Sequence, residues 1–136
     1  MKKGPTEQDL LVESLDKSGN GVAFLAEKKV LIRNALAGEL ATARILKRKR
    51  GIRFADGVRI QNPAVFRRDS SCKSFPRCGG CGLHHMTTSF QIEFKKKLLA
   101  DALRSFGVSP DHWMEPVAAG RLGYRRKARL GVRHVG

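Results

Sequence analysis

The sequence predicts a mainly β fold with some α: a five-stranded barrel of the OB type, then a cysteine loop, one helix and the start of an incomplete α+β region. Three observations predict it. Short apolar runs broken by Gly, Asn and Asp occupy residues 10–62. Three cysteines crowd into ten residues, Cys72 to Cys81, and one apolar stripe of helical period spans 88–106.

Residues 1–9 are polar and are expected to be disordered. Leu11-Val12-Glu13-Ser14-Leu15 is the first strand of the barrel. Asp16-Lys17-Ser18-Gly19-Asn20-Gly21 then supplies turn chemistry, with Gly and Asn available for positive φ. Val22–Ala26 and Lys29–Arg33 form a hairpin across Glu27-Lys28, and Leu36-Ala37-Gly38-Glu39 turns the chain again. Leu40 to Leu46 begins a long strand that runs into Lys47-Arg48-Lys49-Arg50. Phe54 to Gln61, turned by Asp56-Gly57, completes the set. A helix over 35–49 is the competing reading, opposed by Gly38 and Thr42. A polar connector (62–71) leads to the cysteine loop (72–85).

The helix is predicted over 88–106. Thr88 with Gln91 three residues on resembles a capping box. Phe90, Phe94, Leu98 and Ala102 recur every four residues, widened by Leu99, Leu103 and Phe106, and this stripe is expected to pack on core. Gly107 and Pro110 end it. Residues 124–135 then alternate, with Arg125, Lys127, Arg129 and Arg133 on one face, which predicts a basic strand.

Charge narrows the partner. The chain carries 27 Lys and Arg against 12 Asp and Glu, a net +15. Residues 1–43 are balanced, with six of each sign, so the whole excess lies beyond them. Such a field attracts polyanions, because neutralised phosphates release condensed counterions. Nucleic acid is the expected partner, and Lys47, Arg48, Lys49 and Arg50 are expected phosphate contacts. No apolar run reaches the roughly 18 residues of a membrane span. No apolar stretch follows the basic N-terminus, so a cytoplasmic location is expected.

The cysteines are spaced Cys72-x5-Cys78-Gly79-Gly80-Cys81, followed by Gly82-Leu83-His84-His85. An odd number so clustered suits a metal site better than a disulfide framework. Three thiolates can hold three corners of an iron–sulfur cluster, with glycines letting the backbone wrap closely. A Cys3His zinc site completed by His84 or His85 uses the same thiolates, and ligand softness does not choose between them.

From about residue 10 to 135 the chain resembles the N-terminal part of the 23S rRNA (uracil-5-)-methyltransferases. Val12-Glu13-Ser14-Leu15-Asp16, Gly19-x-Gly21-Val22-Ala23 and Ala35-Leu36-Ala37-Gly38-Glu39 look like the family's TRAM domain, a small OB-like RNA-binding barrel. Cys72-x5-Cys78-Gly79-Gly80-Cys81-x-Leu83-x-His85 resembles its [4Fe-4S] motif, and Gly123 to Leu130 resembles a strand of its central domain. His84 stands where the family commonly has Gln, and the family's fourth cluster cysteine has no counterpart here. The resemblance implies a TRAM barrel over 10–62 and the start of a central domain over 63–136. It also implies ribosomal RNA (23S) as partner and Cys72, Cys78 and Cys81 as ligands of a [4Fe-4S] cluster. In the family, S-adenosylmethionine methylates C5 of a flipped uracil after a cysteine thiolate adds to C6. None of those catalytic groups maps onto this sequence. The S-adenosylmethionine domain is therefore expected to be absent and the chain alone inactive.

Overall fold

A computed structural model describes residues 6–120, 122–129, 131–132 and 134. Period-two burial organises the first half, giving strands β1 (Glu7–Leu11), β2 (Ser14–Leu15), β3 (Gly21–Leu25), β4 (Lys28–Arg33), β5 (Leu40–Lys49) and β6 (Ile52–Ile60). They form one sheet in the order β1-β5-β6-β4-β3-β2. Every pairing is antiparallel except β4 with β6. The sheet curls into a mostly β half-barrel, followed by a single helix, α1 (Thr88–Ser105).

Six strands replace the expected five, and the extra one has a local cause. The first expected strand divides at Val12-Glu13. The Val12 amide donates to the Glu39 carbonyl (2.9 Å), whereas the Glu13 amide donates to the Val22 carbonyl (2.8 Å). At that bend the chain changes partner from β5 to β3, so one short kink joins the two edge strands. Strand β1 also begins at Glu7, inside the segment expected to be disordered.

The turns follow side-chain chemistry. The Asp16 carboxylate accepts from the amides of Ser18 (2.9 Å) and Asn20 (2.8 Å) and from the Asn20 side chain (3.0 Å), and Gly19 adopts φ +81°. Ala26 and Glu27, at φ 49° and 60°, link β3 to β4, a two-residue hairpin with both central residues left-handed. The reversal expected at Asp56-Gly57 occurs instead at Arg50-Gly51, at φ 50° and 78°. Asp56 and Gly57 lie within β6. There Asp56 accepts from Arg33 Nε (2.6 Å), and a Cβ on Gly57 would stand 3.1 Å from the Arg33 carbonyl oxygen. Glycine is needed there for close backbone approach, not for a turn.

Leu10, Val12, Ala23, Val30, Ile32, Ala35, Ala41, Ala43 and Ala55 form the core, with Leu25, Ile45 and Ile60 partly buried against it. Each fully buried Val, Leu or Ile contributes about 1.5–3 kcal/mol. Ala41 and Ala43 are buried while Thr42 and Arg44 are not, which excludes the helical reading of 35–49.

Helix α1 is capped one residue earlier than the sequence suggests. The Thr87 hydroxyl accepts from the Phe90 amide (3.4 Å), and Gln91 donates to the carbonyls of Leu83 (3.0 Å) and Met86 (3.1 Å). At the other end Gly107 takes φ +73°; its amide bonds to Arg104 and that of Val108 to Leu103, closing a Schellman motif. Of the apolar stripe only Phe94 is buried; Leu99 and Phe106 are exposed, so the stripe does not pack on core along its length as expected. The basic strand expected over 124–135 is also not found: the described residues from 122 to 134 form no strand. An isolated strand leaves its backbone groups without ladder partners, and no second strand lies beside it among the described residues.

Candidate nucleic-acid interface and cysteine loop

Strand β5 carries its basic residues to one end of the barrel. Lys47, Arg48, Lys49 and Arg50 are all exposed, at the close of β5 and in the turn to β6. Lys47 Nζ lies 5.4 Å from the centre of the Phe54 ring. Registers extend the patch: Arg48 faces Arg53 across β5–β6, and Arg53 neighbours Val30 across β6–β4. Strand β4 begins at the same end with exposed Lys28 and Lys29. Arg53 Nη1 donates to the Leu25 carbonyl (2.7 Å), tying the β3–β4 hairpin to β6.

Sequence reading missed Lys28, Lys29 and Arg53, because their closeness to 47–50 depends on the parallel β4–β6 pairing. Elsewhere on the barrel Arg33 pairs with Asp56 (2.6 Å) and Arg44 with Glu7 (2.8 Å). Among the described residues none of Lys28, Lys29, Lys47, Arg48, Lys49 or Arg50 forms an ion pair. A cluster of unmatched cations at one rim concentrates positive potential where a polyanion can reach it.

Arg125, Lys127 and Arg129 do not join this patch through a sheet, since their segment forms none. All three are exposed, and the Arg125 guanidinium lies 5.8 Å from the Tyr124 ring centre. Arg133 lies outside the described residues.

A buried ion pair joins the barrel to the cysteine loop. Glu39 is wholly buried, and its carboxylate accepts from Arg67 Nε (2.6 Å) and Nη2 (2.8 Å) and from the amides of Leu36 (2.7 Å) and Ala64 (3.0 Å). Arg67 also donates to the Asn34 side chain (3.2 Å) and carbonyl (2.9 Å). Burial opposes ionisation of Glu39, but these donors outweigh it and hold the carboxyl below its ordinary pKa.

From this anchor the chain pairs with the far end of the loop. The Arg68 amide donates to the His85 carbonyl (3.0 Å), and the Thr87 amide to the Phe66 carbonyl (2.8 Å). Phe66 stacks on Phe90 of α1 with ring centres 3.7 Å apart. The loop also rests on the Asp16–Asn20 turn. A Cβ on Gly82 would meet the Ser18 carbonyl oxygen at 3.0 Å, and one on Gly19 would strike Leu83 at 2.3 Å.

Cys72, Cys78 and Cys81 are exposed free thiols on this anchored base. Gly79 adopts φ +72°, and the Cys78 amide bonds to the Ser74 carbonyl (2.9 Å). Among the described residues no three Cys, His, Asp or Glu side chains converge on one point. The histidines are distinct. His84 Nδ1 is 2.9 Å from Ser70 Oγ, whereas His85 is 2% exposed and neither ring nitrogen has a partner. Burial, aided by the Arg67 charge, lowers the His85 pKa to about 4. Neutral at physiological pH, its imidazole stacks on Phe75 at 5.3 Å and lines one pocket with Cys72. Of the three thiols only Cys72 lines this pocket with His85.

Comparison with known proteins places the geometry. Residues 5–58, which include most of the half-barrel, match the TRAM domain family. Over 128 residues the chain is 38% identical to the 23S rRNA (uracil(1939)-C(5))-methyltransferase RlmD of Pseudomonas savastanoi pv. phaseolicola, covering 93% of this chain and 28% of that protein. The same-named protein of Nitrosococcus oceani is 39% identical over 98% of this chain and 31% of its own length. That of Psychrobacter arcticus is 39% identical over 91% and 27%. The chain thus spans under one third of the length of these relatives. Among the described residues no helix is long and apolar enough to cross a membrane.

Proposed function

We propose that this chain is the N-terminal, RNA-binding portion of a 23S rRNA uracil-C5 methyltransferase, acting in the cytoplasm, and that its cysteine loop carries a [4Fe-4S] cluster. The observation that carries this reading is the similarity at 36–39% identity across nearly the whole chain, spanning TRAM barrel and cysteine loop together. The exposed cations of the β4, β5 and β6 ends support ribosomal RNA as the polyanion. They would hold phosphates and set the chain's position on RNA without specifying sequence. Arg125, Lys127, Arg129 and Arg133 are proposed as further backbone contacts.

Cys72, Cys78 and Cys81 would hold three corners of the cluster. When bound, the cluster supplies a covalent cross-link across the loop and a centre able to exchange one electron. The chain's own residues supply the seat: Glu39 and Arg67 fix the start of the segment, and Gln91 fixes the turn beyond it. Methyl transfer from S-adenosylmethionine is proposed for the whole enzyme, with no catalytic residue in this chain. The 136 residues by themselves are expected to bind RNA without methylating it.

A second reading is favoured by one observation, the buried and unpartnered imidazole of His85. It is a self-contained RNA-binding module with a structural Cys3His zinc site. Anaerobic purification with iron, sulfide and zinc analysis separates the two. Brown protein with iron and acid-labile sulfide is the expected result. Colourless protein holding one zinc per chain would overturn the cluster.

A further inference from the structure

One face of the barrel carries aromatic rings where the core does not need them. Ala23, Val30, Ile32, Ile45 and Ala55 point inward or pack against the core. By alternation Phe24, Lys29, Leu31 and Phe54 lie on the opposite face of β3, β4 and β6, and the β5 bulge between Ile45 and Lys47 turns Lys47 onto that face opposite Phe54. The registers set them side by side: Phe24 against Lys29, Leu31 against Phe54, and Phe54 against Lys47.

Phe24 is 45% exposed, Phe54 is half-buried, and neither belongs to the core cluster. Neither ring stacks on another aromatic of the described residues. Two strand spacings and a two-residue step separate them by roughly 12 Å. That is too far to clasp one base and far enough for each to take its own. A lysine accompanies each ring, so a phosphate beside a stacked base would meet an ammonium.

We infer that the outer face of β3-β4-β6-β5 is a stacking platform for unpaired RNA, with one base on Phe24, a second on Phe54, and the intervening backbone held by Lys29 and Lys47. The inference rests on the RNA-binding reading above and sharpens it, because a duplex hides the base faces that the rings need. Charge complementarity selects the occupant: an apolar protein surface would gain nothing from ammonium groups placed beside each ring.

The test uses the full chain with Trp113→Phe as background, a short unstructured fluorescein-labelled RNA, and a hairpin of the same length. Anisotropy at several salt concentrations gives affinity and salt slope. Phe24→Ala and Phe54→Ala are each expected to weaken single-strand binding by roughly tenfold with the salt slope unchanged, since stacking releases no counterions. Phe24→Trp and Phe54→Trp should keep the affinity, and their fluorescence should be quenched as RNA is added. The hairpin should bind more weakly than the single strand.

If the single strand binds and both alanine variants match the parent, the platform is wrong while the RNA reading stands. Equal binding of hairpin and single strand also overturns it. If the parent chain binds neither RNA, both readings fall. Should Phe54→Ala unfold, Phe24→Ala and the two tryptophan variants decide the matter.

Discussion

The barrel and the segment that follows it hold themselves together by different means. Across residues 7–60 each strand borrows order from its neighbours through ladder hydrogen bonds, and nine small or branched apolar side chains fill the interior. Across 66–106 few side chains are buried: Met86, Phe94 and His85. Order there comes from particular polar clamps, Glu39 with Arg67, Arg68 with His84 and His85, and Gln91 with the turn before α1. A repetitive sheet tolerates the loss of one contact, whereas a clamped loop depends on each clamp. The comparison places mechanical robustness in the barrel and dependence on single contacts in the cysteine half.

The sharpest way to break this contrast is to cut the clamp between the two. Glu39→Ala would leave the Arg67 guanidinium, the buried Leu36 amide and the partly buried Ala64 amide without their acceptor, a loss of about 3–5 kcal/mol. Chemical denaturation of metal-free protein should show it, and a change below about 1 kcal/mol would place the anchor elsewhere.

Acid probes the cysteine half next. His85 titrates near 4 when folded and near its ordinary 6.5 when unfolded, so the unfolded chain binds the extra proton between those values. The His85 contribution is therefore full above about pH 6.5, is lost as pH drops towards 4, and is absent below. The total loss is about 3 kcal/mol. A pH series of urea melts should show that slope in the parent, and His85→Phe should flatten it.

A smaller effect is expected at the rim of the barrel. Replacing Lys47, Arg48, Lys49 and Arg50 by Ala should leave the fold intact, since all four are exposed. RNA affinity should drop, and the slope of log K against log salt should become shallower by up to about 2.8 for single-stranded RNA. An unchanged slope would move the phosphate contacts to other cations.

The smallest stability effect is expected at the thiols. Cys78→Ser and Cys81→Ser should alter metal-free stability by less than about 0.5 kcal/mol, because both side chains are exposed. The same variants should lose metal uptake, measured by iron and zinc analysis. Destabilisation of the metal-free chain would mean that the loop is ordered by cysteine packing.

Much of the barrel was legible in the sequence because its signals are local. The Asp16-x-Ser18-Gly19-Asn20 turn, the alternation in β3 to β5 and the helical stripe ending at Gly107 each announce themselves within a few residues. What was not legible depends on partners far along the chain. Asp56-Gly57 carries turn chemistry, yet Arg33 recruits Asp56 into a strand and the β4 backbone explains Gly57. Splitting 11–15 into two strands required Glu39 and Val22 to compete for adjacent amides. The alternation at 124–135 is as regular as in any strand of the barrel, but alternation only offers a face and cannot supply a neighbour. At the site, the Lys47–Arg50 run was visible as a run. Lys28, Lys29 and Arg53 became visible only once a parallel pairing set the strand ends side by side.

That parallel pairing also dictates the order of assembly. The β3–β4 and β5–β6 hairpins join residues close in sequence and can form within microseconds. Joining the two hairpins through β4 and β6, and setting β1 against β5 with Glu7 opposite Arg44, closes loops of more than twenty residues. Closure entropy delays such long-range contacts relative to the hairpins. On a ribosome the barrel cannot shut until β6 has emerged, because β6 is the strand that bridges β5 to β4. The turn at Arg50-Gly51, which starts β6 back along β5, is the step that makes that bridge possible.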